Sequence, residues 1–139
     1  MNTAENVIPL AVPDEDIVRL APGEYSAIYV CHKGMRIFGI TKLRVDFRLL
    51  AHPGIVLPRW YRVNDYRGGR IQAGKQSDIV REVSRVLGRR VRIDRIAVSD
   101  LANMPVKVLV RTVTKNSRQR PIGQVNHYST IEELLERET

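Results

Sequence analysis

The sequence has one cysteine, three histidines and no long hydrophobic run, and each shortage excludes a class of protein. Cys31 has no partner for an internal disulfide, and one Cys with three scattered His lacks the number and spacing of a structural zinc site. The longest uncharged apolar stretch, 49–58, has about half of the roughly 20 residues that a membrane-spanning helix needs. Residues 1–16 carry acids where a signal peptide carries Lys or Arg. We therefore expect a cytoplasmic protein without metal ions or membrane contact.

Catalytic motifs are also absent from the sequence. The nearest glycine cluster, residues 67–70, has neither the spacing nor the hydroxyl group of a phosphate-binding loop. Six acids between residues 36 and 128 are isolated among bases, whereas nuclease chemistry uses carboxylates that converge on Mg²⁺. Cys31 and His32 are neighbours in an extended run and point to opposite faces, so we expect a half-buried cysteine rather than a nucleophile. The sequence predicts no enzyme and no cofactor.

Positive charge is concentrated in the middle of the chain. Residues 36–128 contain twenty Lys or Arg against six acids, although the net charge of the whole chain is only +8. Residues 1–35 and 129–139 are both acidic on balance. Sixteen of the twenty central bases are Arg, which binds phosphate through two donors and stacks on nucleobases. This segregation predicts a surface for a polyanion.

The spacing of apolar residues predicts a β-rich domain. Proline-broken residues 1–21 are expected to form a loosely ordered arm, and 22–139 a single domain. Alternating or β-favouring runs at 24–33, 41–49 and 55–63 predict three consecutive strands, of which 41–49 alternates strictly. A polar, glycine-rich loop at 64–76 then leads to a helix that Ser77 caps and Gly88 ends.

The last third of the chain completes the predicted order of elements. Residues 106–114 form an apolar, β-branched strand, 115–123 a basic loop and 125–128 a short return strand. Residues 129–132, Ser-Thr-Ile-Glu, match a capping box and predict a short C-terminal helix through Glu136. Three strands, a helix and two strands is the order of a five-stranded OB-like barrel with the helix between strands three and four. A split α+β sheet and a small SH3-like barrel fit the same order.

Aromatic residues are interleaved with arginines in the third predicted strand. Because neighbouring strand residues face opposite ways, we expect Tyr61 in the core and Trp60 outside with Arg62. A positive groove with flat side chains is how proteins hold single strands. Our candidate nucleic-acid-binding residues are Lys33, Arg36, Phe38, Lys42, Arg44, Arg48, Arg59, Trp60, Arg62, Tyr66, Arg67, Arg70, Lys75, Lys107, Arg111, Lys115, Arg118 and Arg120.

Three segments carry a resemblance to a known family. They are Pro-Gly-Glu-Tyr at 22–25, Pro-Val-Lys-Val-Leu-Val-Arg-Thr-Val at 105–113 and His-Tyr-Ser-Thr-Ile-Glu-Glu-Leu-Leu at 127–135. In this order the chain, over about residues 22–136, resembles the small OB-fold single-stranded-DNA-binding proteins of phages, plasmids and integrative mobile elements. The resemblance implies a DNA replication or recombination accessory that coats exposed strands and contacts replication or recombination proteins.

Other functions fit the same residues. An interaction module or regulator would use the basic face to dock an acidic protein partner. Structured RNA or duplex DNA would be attracted by the same charges. The sequence leaves open whether the ligand is DNA or RNA, whether the protein forms a homo-oligomer, and which pathway it serves. It also leaves open which alternate residues of 59–62 face the ligand.

Overall fold

The computed structural model describes residues 20–113 and 128–138. Within these ranges the chain is β-rich, with a five-stranded sheet and one α-helix, as the sequence predicts. A short 3-10 turn, Val98–Leu101, follows the helix. The strands and the helix are β1 (Gly23–Ile37), β2 (Ile40–Leu49), β3 (Val56–Arg62), β4 (Asp65–Arg67), β5 (Arg70–Gln72), α1 (Asp78–Leu87), β6 (Val106–Val113) and β7 (Tyr128–Arg137).

The main sheet has the strand order β1-β2-β3-β7-β6, and β6 pairs back with β1 so that the sheet closes on itself. All neighbouring strands are antiparallel except β3 and β7, which run parallel. This parallel contact has a single register pair, Arg59 with Ile131. The closure is therefore thin at one place, between β3 and β7.

The core fills the inside of the closed sheet and the space beneath α1. The strict alternation of β2 is confirmed, because Leu43, Val45, Phe47 and Leu49 are all buried. The helix also begins and ends as predicted. Ser77 Oγ accepts a hydrogen bond from the backbone N–H of Val80, and Gly88 ends the helix with a left-handed φ of 73°.

The chain end is a strand, so the predicted helix at 129–136 is wrong. Ile131 and Leu134 are both buried, and their spacing of three imitates a helical stripe. In the structure this spacing arises from a β-bulge, because Ile131 pairs with Val110 and Glu133 with Leu109 while Glu132 is an extra residue between them. Pairing with β6 along the whole of β7 outweighs the local capping signal.

Two further segments differ from the prediction. The loop expected at 64–76 contains a hairpin of β4 and β5. The first strand continues to Ile37, so the turn to β2 is reduced to Phe38 and Gly39. Most of the expected arm, residues 1–19, and most of the expected return strand, residues 125–127, lie outside the described residues.

Candidate nucleic-acid interface

Cross-strand pairing aligns the basic side chains of three neighbouring strands. Lys33 on β1 pairs with Arg44 on β2, and Arg44 pairs with Trp60 on β3. Two residues nearer the start of β2, Lys42 pairs with Arg62 on β3. Directly opposed residues in a sheet share a face, and the burial of Leu43 and Val45 puts this face outside.

We call this surface the basic face. The row at its far end joins Arg48 on β2 to Val56 on β3, and Val56 is exposed. The face therefore carries five cations and one large aromatic ring over three strands. Its members are Lys33, Lys42, Arg44, Arg48, Trp60 and Arg62.

Trp60 lies on the β3 side of the basic face, directly opposite Arg44. Its ring is half-buried, whereas Tyr61 is only 2% exposed, which confirms that Tyr61 is the core residue of the two. The guanidinium carbon of Arg44 lies 5.9 Å from the centroid of the Trp60 ring, within cation–π range. Lys42 and Arg62 flank the same ring in a shallow depression of about 270 Å³. An aromatic surface is thus bordered by cations.

The described bases differ in whether they form ion pairs. On the helix side Arg81 pairs with Asp78 at 2.7 Å and Arg85 with Glu133 at 2.8 Å. After the helix, two more arginines pair with aspartates, Arg89 with Asp100 and Arg92 with Asp94. These arginines are locally neutralised.

The cations of the basic face have fewer acidic partners than these arginines. Arg44 pairs with Asp46, Nε to Oδ1 at 3.3 Å. Among the residues that the structure describes, Lys33, Lys42, Arg48 and Arg62 have no carboxylate within ion-pair distance. Within the described residues, the positive charge of these four cations on β1, β2 and β3 is therefore not compensated by an ion pair.

Asp46 is the acid inside the basic face. Burial raises the pKa of this carboxyl group, and Arg44 partly opposes that change. The Cys31 thiol lies 3.6 Å from its Oδ2 atom and is placed to donate to it. Burial and the nearby Asp46 raise the pKa of Cys31, which favours the unreactive thiol. Cys31 is exposed, not half-buried as expected.

Arg59 differs from the other arginines of the candidate set. Its guanidinium bonds to the carboxylate of Glu82, with Nε to Oε1 at 3.1 Å, and lies 4.3 Å from the ring centroid of Tyr61. Only 12% of its side chain is exposed. This pairing explains why an arginine interrupts the apolar side of β3, and we leave Arg59 out of the basic face. Sequence reasoning missed Glu82, although an acid on the apolar stripe of a helix signals a buried partner.

The hairpin of β4 and β5 forms a second basic surface. Arg67 and Arg70 pair across its two-glycine turn, and Arg95 lies beside them around a depression of about 450 Å³. Arg67 also lies 3.5 Å from Asp65. Tyr66 packs its ring against Gly34 of β1, so this aromatic supports the hairpin. Arg95 is not among the candidate residues that the sequence predicted.

The remaining candidates lie elsewhere or serve the fold. Arg36 donates to the backbone oxygen of Gly39 at 3.2 Å, next to the exposed Phe38. Lys107 on β6 forms an ion pair at 3.3 Å with Glu136 on β7, away from the basic face. Arg111 is exposed on β6 and Lys75 follows β5. Lys115, Arg118 and Arg120 lie outside the described residues.

Comparison with known proteins gives no relative. No protein-family model matches the chain, and no curated protein and no solved structure matches it. Over the described residues no helix is long and apolar enough to cross a membrane. Within the described residues, no group of three or more His, Cys, Asp or Glu side chains is placed to hold a metal ion.

Proposed function

We propose that this protein binds single-stranded DNA on the basic face, with little sequence preference and without catalysis. The observation that carries the proposal is the arrangement of four cations without acidic partners among the described residues around Trp60. Phosphates bind such cations, and unstacked bases bind a flat ring. The depression beside the ring is lined by the cations Lys42 and Arg62, which suits a base on the ring and phosphates next to it.

The strand order supports an OB-like barrel as the framework. A closed order of β1-β2-β3-β7-β6 with one parallel contact, and a helix in the chain between β3 and β6, is the arrangement expected of that fold. The OB fold binds oligonucleotides on its second and third strands, and these are the strands that carry Lys42, Arg44, Trp60 and Arg62. A cytoplasmic role in replication or recombination of a mobile element or phage follows from the resemblance and belongs to the same proposal.

Salt dependence of oligonucleotide binding tests the proposal. The logarithm of the association constant for a labelled single strand should fall with the logarithm of salt concentration by a slope of about −0.7 per phosphate contacted. Fluorescence anisotropy at four or five salt concentrations measures this slope. A wild-type protein whose binding is absent, or independent of salt, would contradict the proposal.

A pair of double variants places the contact on the basic face. Lys42→Gln with Arg62→Gln should make the slope shallower by about 1.4, since two phosphate contacts are lost at about 0.7 each. Arg81→Gln with Arg92→Gln removes the same charge from arginines that are already paired. If both double variants bind equally well, the attraction is a property of net charge and the basic face has no special role. Tighter binding to a duplex of the same length would instead favour a double-stranded ligand over a single strand.

A further inference from the structure

The turn between β1 and β2 contains an aromatic residue in an unfavourable backbone conformation. Ile37 pairs with Ile40, which leaves a two-residue turn, and Phe38 and Gly39 have φ angles of 52° and 77°. Such turns prefer Asn, Asp or Gly at both positions because only these tolerate positive φ easily. The left-handed conformation is sterically unfavourable for other residues. Phe38 therefore carries a conformational cost.

No packing offsets this cost. The Phe38 side chain is 82% exposed, the largest value among the exposed large hydrophobic residues of the described chain. The guanidinium of Arg36 meanwhile bonds to Gly39 O at 3.2 Å and to Thr41 Oγ1 at 3.4 Å. These bonds brace the turn that presents the ring to solvent. Strained residues that are held in place by their surroundings concentrate at functional sites.

The turn lies at the end of the basic face. Lys42 is two residues after Ile40 on β2 and Arg44 is four, so Arg44 lies about 13 Å of strand from Ile40. Trp60 is the cross-strand partner of Arg44. Along the strands Lys42 and Arg62 thus lie between two flat rings, with Trp60 level with Arg44 and Phe38 in the turn.

We propose that Phe38 stacks on an unpaired nucleobase of the bound strand. The inference rests on the proposed function and extends it from the basic face to the turn. The cations between the two rings hold the phosphates, and the ring in the turn receives a base beyond them. A nucleobase suits this position because the neighbouring charges of Lys42 and Arg62 attract its backbone. The strained backbone is retained because the turn fixes the ring before the ligand arrives.

Replacing Phe38 by Asn separates binding from folding. Asn suits positive φ, so Phe38→Asn should raise the thermal unfolding midpoint. The same variant should weaken binding of a labelled single strand about 5- to 150-fold, the loss of one base stack. Ile93→Asn is the matched control, since Ile93 is also an exposed apolar residue and lies after α1. It should leave binding unchanged.

Two more variants identify the kind of contact. Phe38→Trp should retain wild-type affinity because a flat ring is kept, whereas Phe38→Leu should bind as weakly as Phe38→Asn. A Leu variant with wild-type affinity would mean that the side chain makes a general apolar contact, and the stacking assignment would be wrong. Unchanged binding by Phe38→Asn, in a wild-type protein that binds, would reject the role of Phe38 alone. A wild-type protein that does not bind rejects the proposed function as well.

Discussion

The carboxylate of Glu82 on α1 accepts hydrogen bonds from the guanidinium of Arg59 on β3. The same carboxylate accepts a hydrogen bond from the Tyr61 hydroxyl at 2.7 Å and from the backbone N–H of Leu134 on β7 at 2.9 Å. Burial and the nearby Glu82 raise the pKa of Tyr61 well above its ordinary value, so this hydroxyl remains a donor. One buried side chain therefore joins the helix to both strands of the thin parallel contact.

Glu82→Gln should destabilise the protein by about 3–5 kcal/mol, because the largely buried Arg59 guanidinium would lose its close counter-charge and keep only the half-exposed Asp78 at 3.8 Å. Urea unfolding at neutral pH measures the change. Glu133→Gln breaks the half-exposed ion pair with Arg85 and should cost less than about 1 kcal/mol. Equal losses in the two variants would show that the Glu82 contacts contribute no more than a surface pair.

Trp60→Ala should weaken oligonucleotide binding by about 1–3 kcal/mol, the contribution of one base stacked on an aromatic side chain. The ring is half-buried outside the core, so the domain should remain folded by circular dichroism. Trp60→Phe keeps a flat ring and should retain most of the affinity. Unfolding of Trp60→Ala would instead make Trp60 a residue of the fold.

Gly34→Ala should destabilise the protein by about 1–3 kcal/mol, the usual cost of forcing extra volume into a packed site. A β-carbon at Gly34 would lie 2.2 Å from Cδ2 of the Tyr66 ring, so β1 and the hairpin of β4 and β5 would have to separate. Gly54→Ala is the control because its β-carbon would meet no atom within 4 Å. Thermal unfolding compares the two. Matching midpoints would mean that the ring moves aside at no cost.

Acidification should destabilise the fold through His32. Burial lowers the pKa of His32 below its ordinary value of 6.5, so in the folded state the ring takes up its proton at lower pH than in the unfolded chain. The unfolded state then binds more protons below about pH 6.5, and stability falls as the pH decreases through that range. Protonation also removes the Nδ1 lone pair that faces the Tyr29 hydroxyl at 2.6 Å.

Urea midpoints at pH 7.5 and pH 5.5 measure this effect in the wild type and in His32→Asn. The wild type should lose more stability between the two pH values than His32→Asn does. His52→Asn serves as the control, because His52 is exposed in the turn before β3. An identical pH response in wild type and His32→Asn would exclude His32 as the source.

How far the sequence predicts the structure depends on whether one strand face is uniformly apolar. From Lys42 to Leu49 of β2 each inward residue is apolar and each outward residue is charged, so the period of two identifies both the strand and its basic side. In β3 the inward Arg59 weakens the same argument, because only the folded chain brings Glu82 opposite to it. Pairings between residues far apart in sequence are not encoded in any local period.

The candidate site was predictable to the same extent. Lys42 and Arg44 could be assigned to the outer face from the alternation of β2, whereas the alternation of β3 favoured Trp60 and Arg62 outside but left the opposite parity open. The sequence could not assign Arg36 to the turn or Lys107 to an ion pair with Glu136, since both roles depend on tertiary partners. Tyr66 was expected to meet a ligand, and its contact with Gly34 depends on how β4 and β5 fold back.

The extra residue Glu132 makes β7 more tolerant of a one-residue deletion than β2. Removing Glu132 would leave Ile131, Glu133 and Leu134 in direct succession, which is the inward, outward, inward alternation of an ordinary strand opposite Val110, Leu109 and Val108. A one-residue deletion in β2 would instead turn every following side chain to the opposite face. Shortening by one residue is therefore compatible with the core at Glu132, whereas the same change within β2 would place its cations inside the closed sheet.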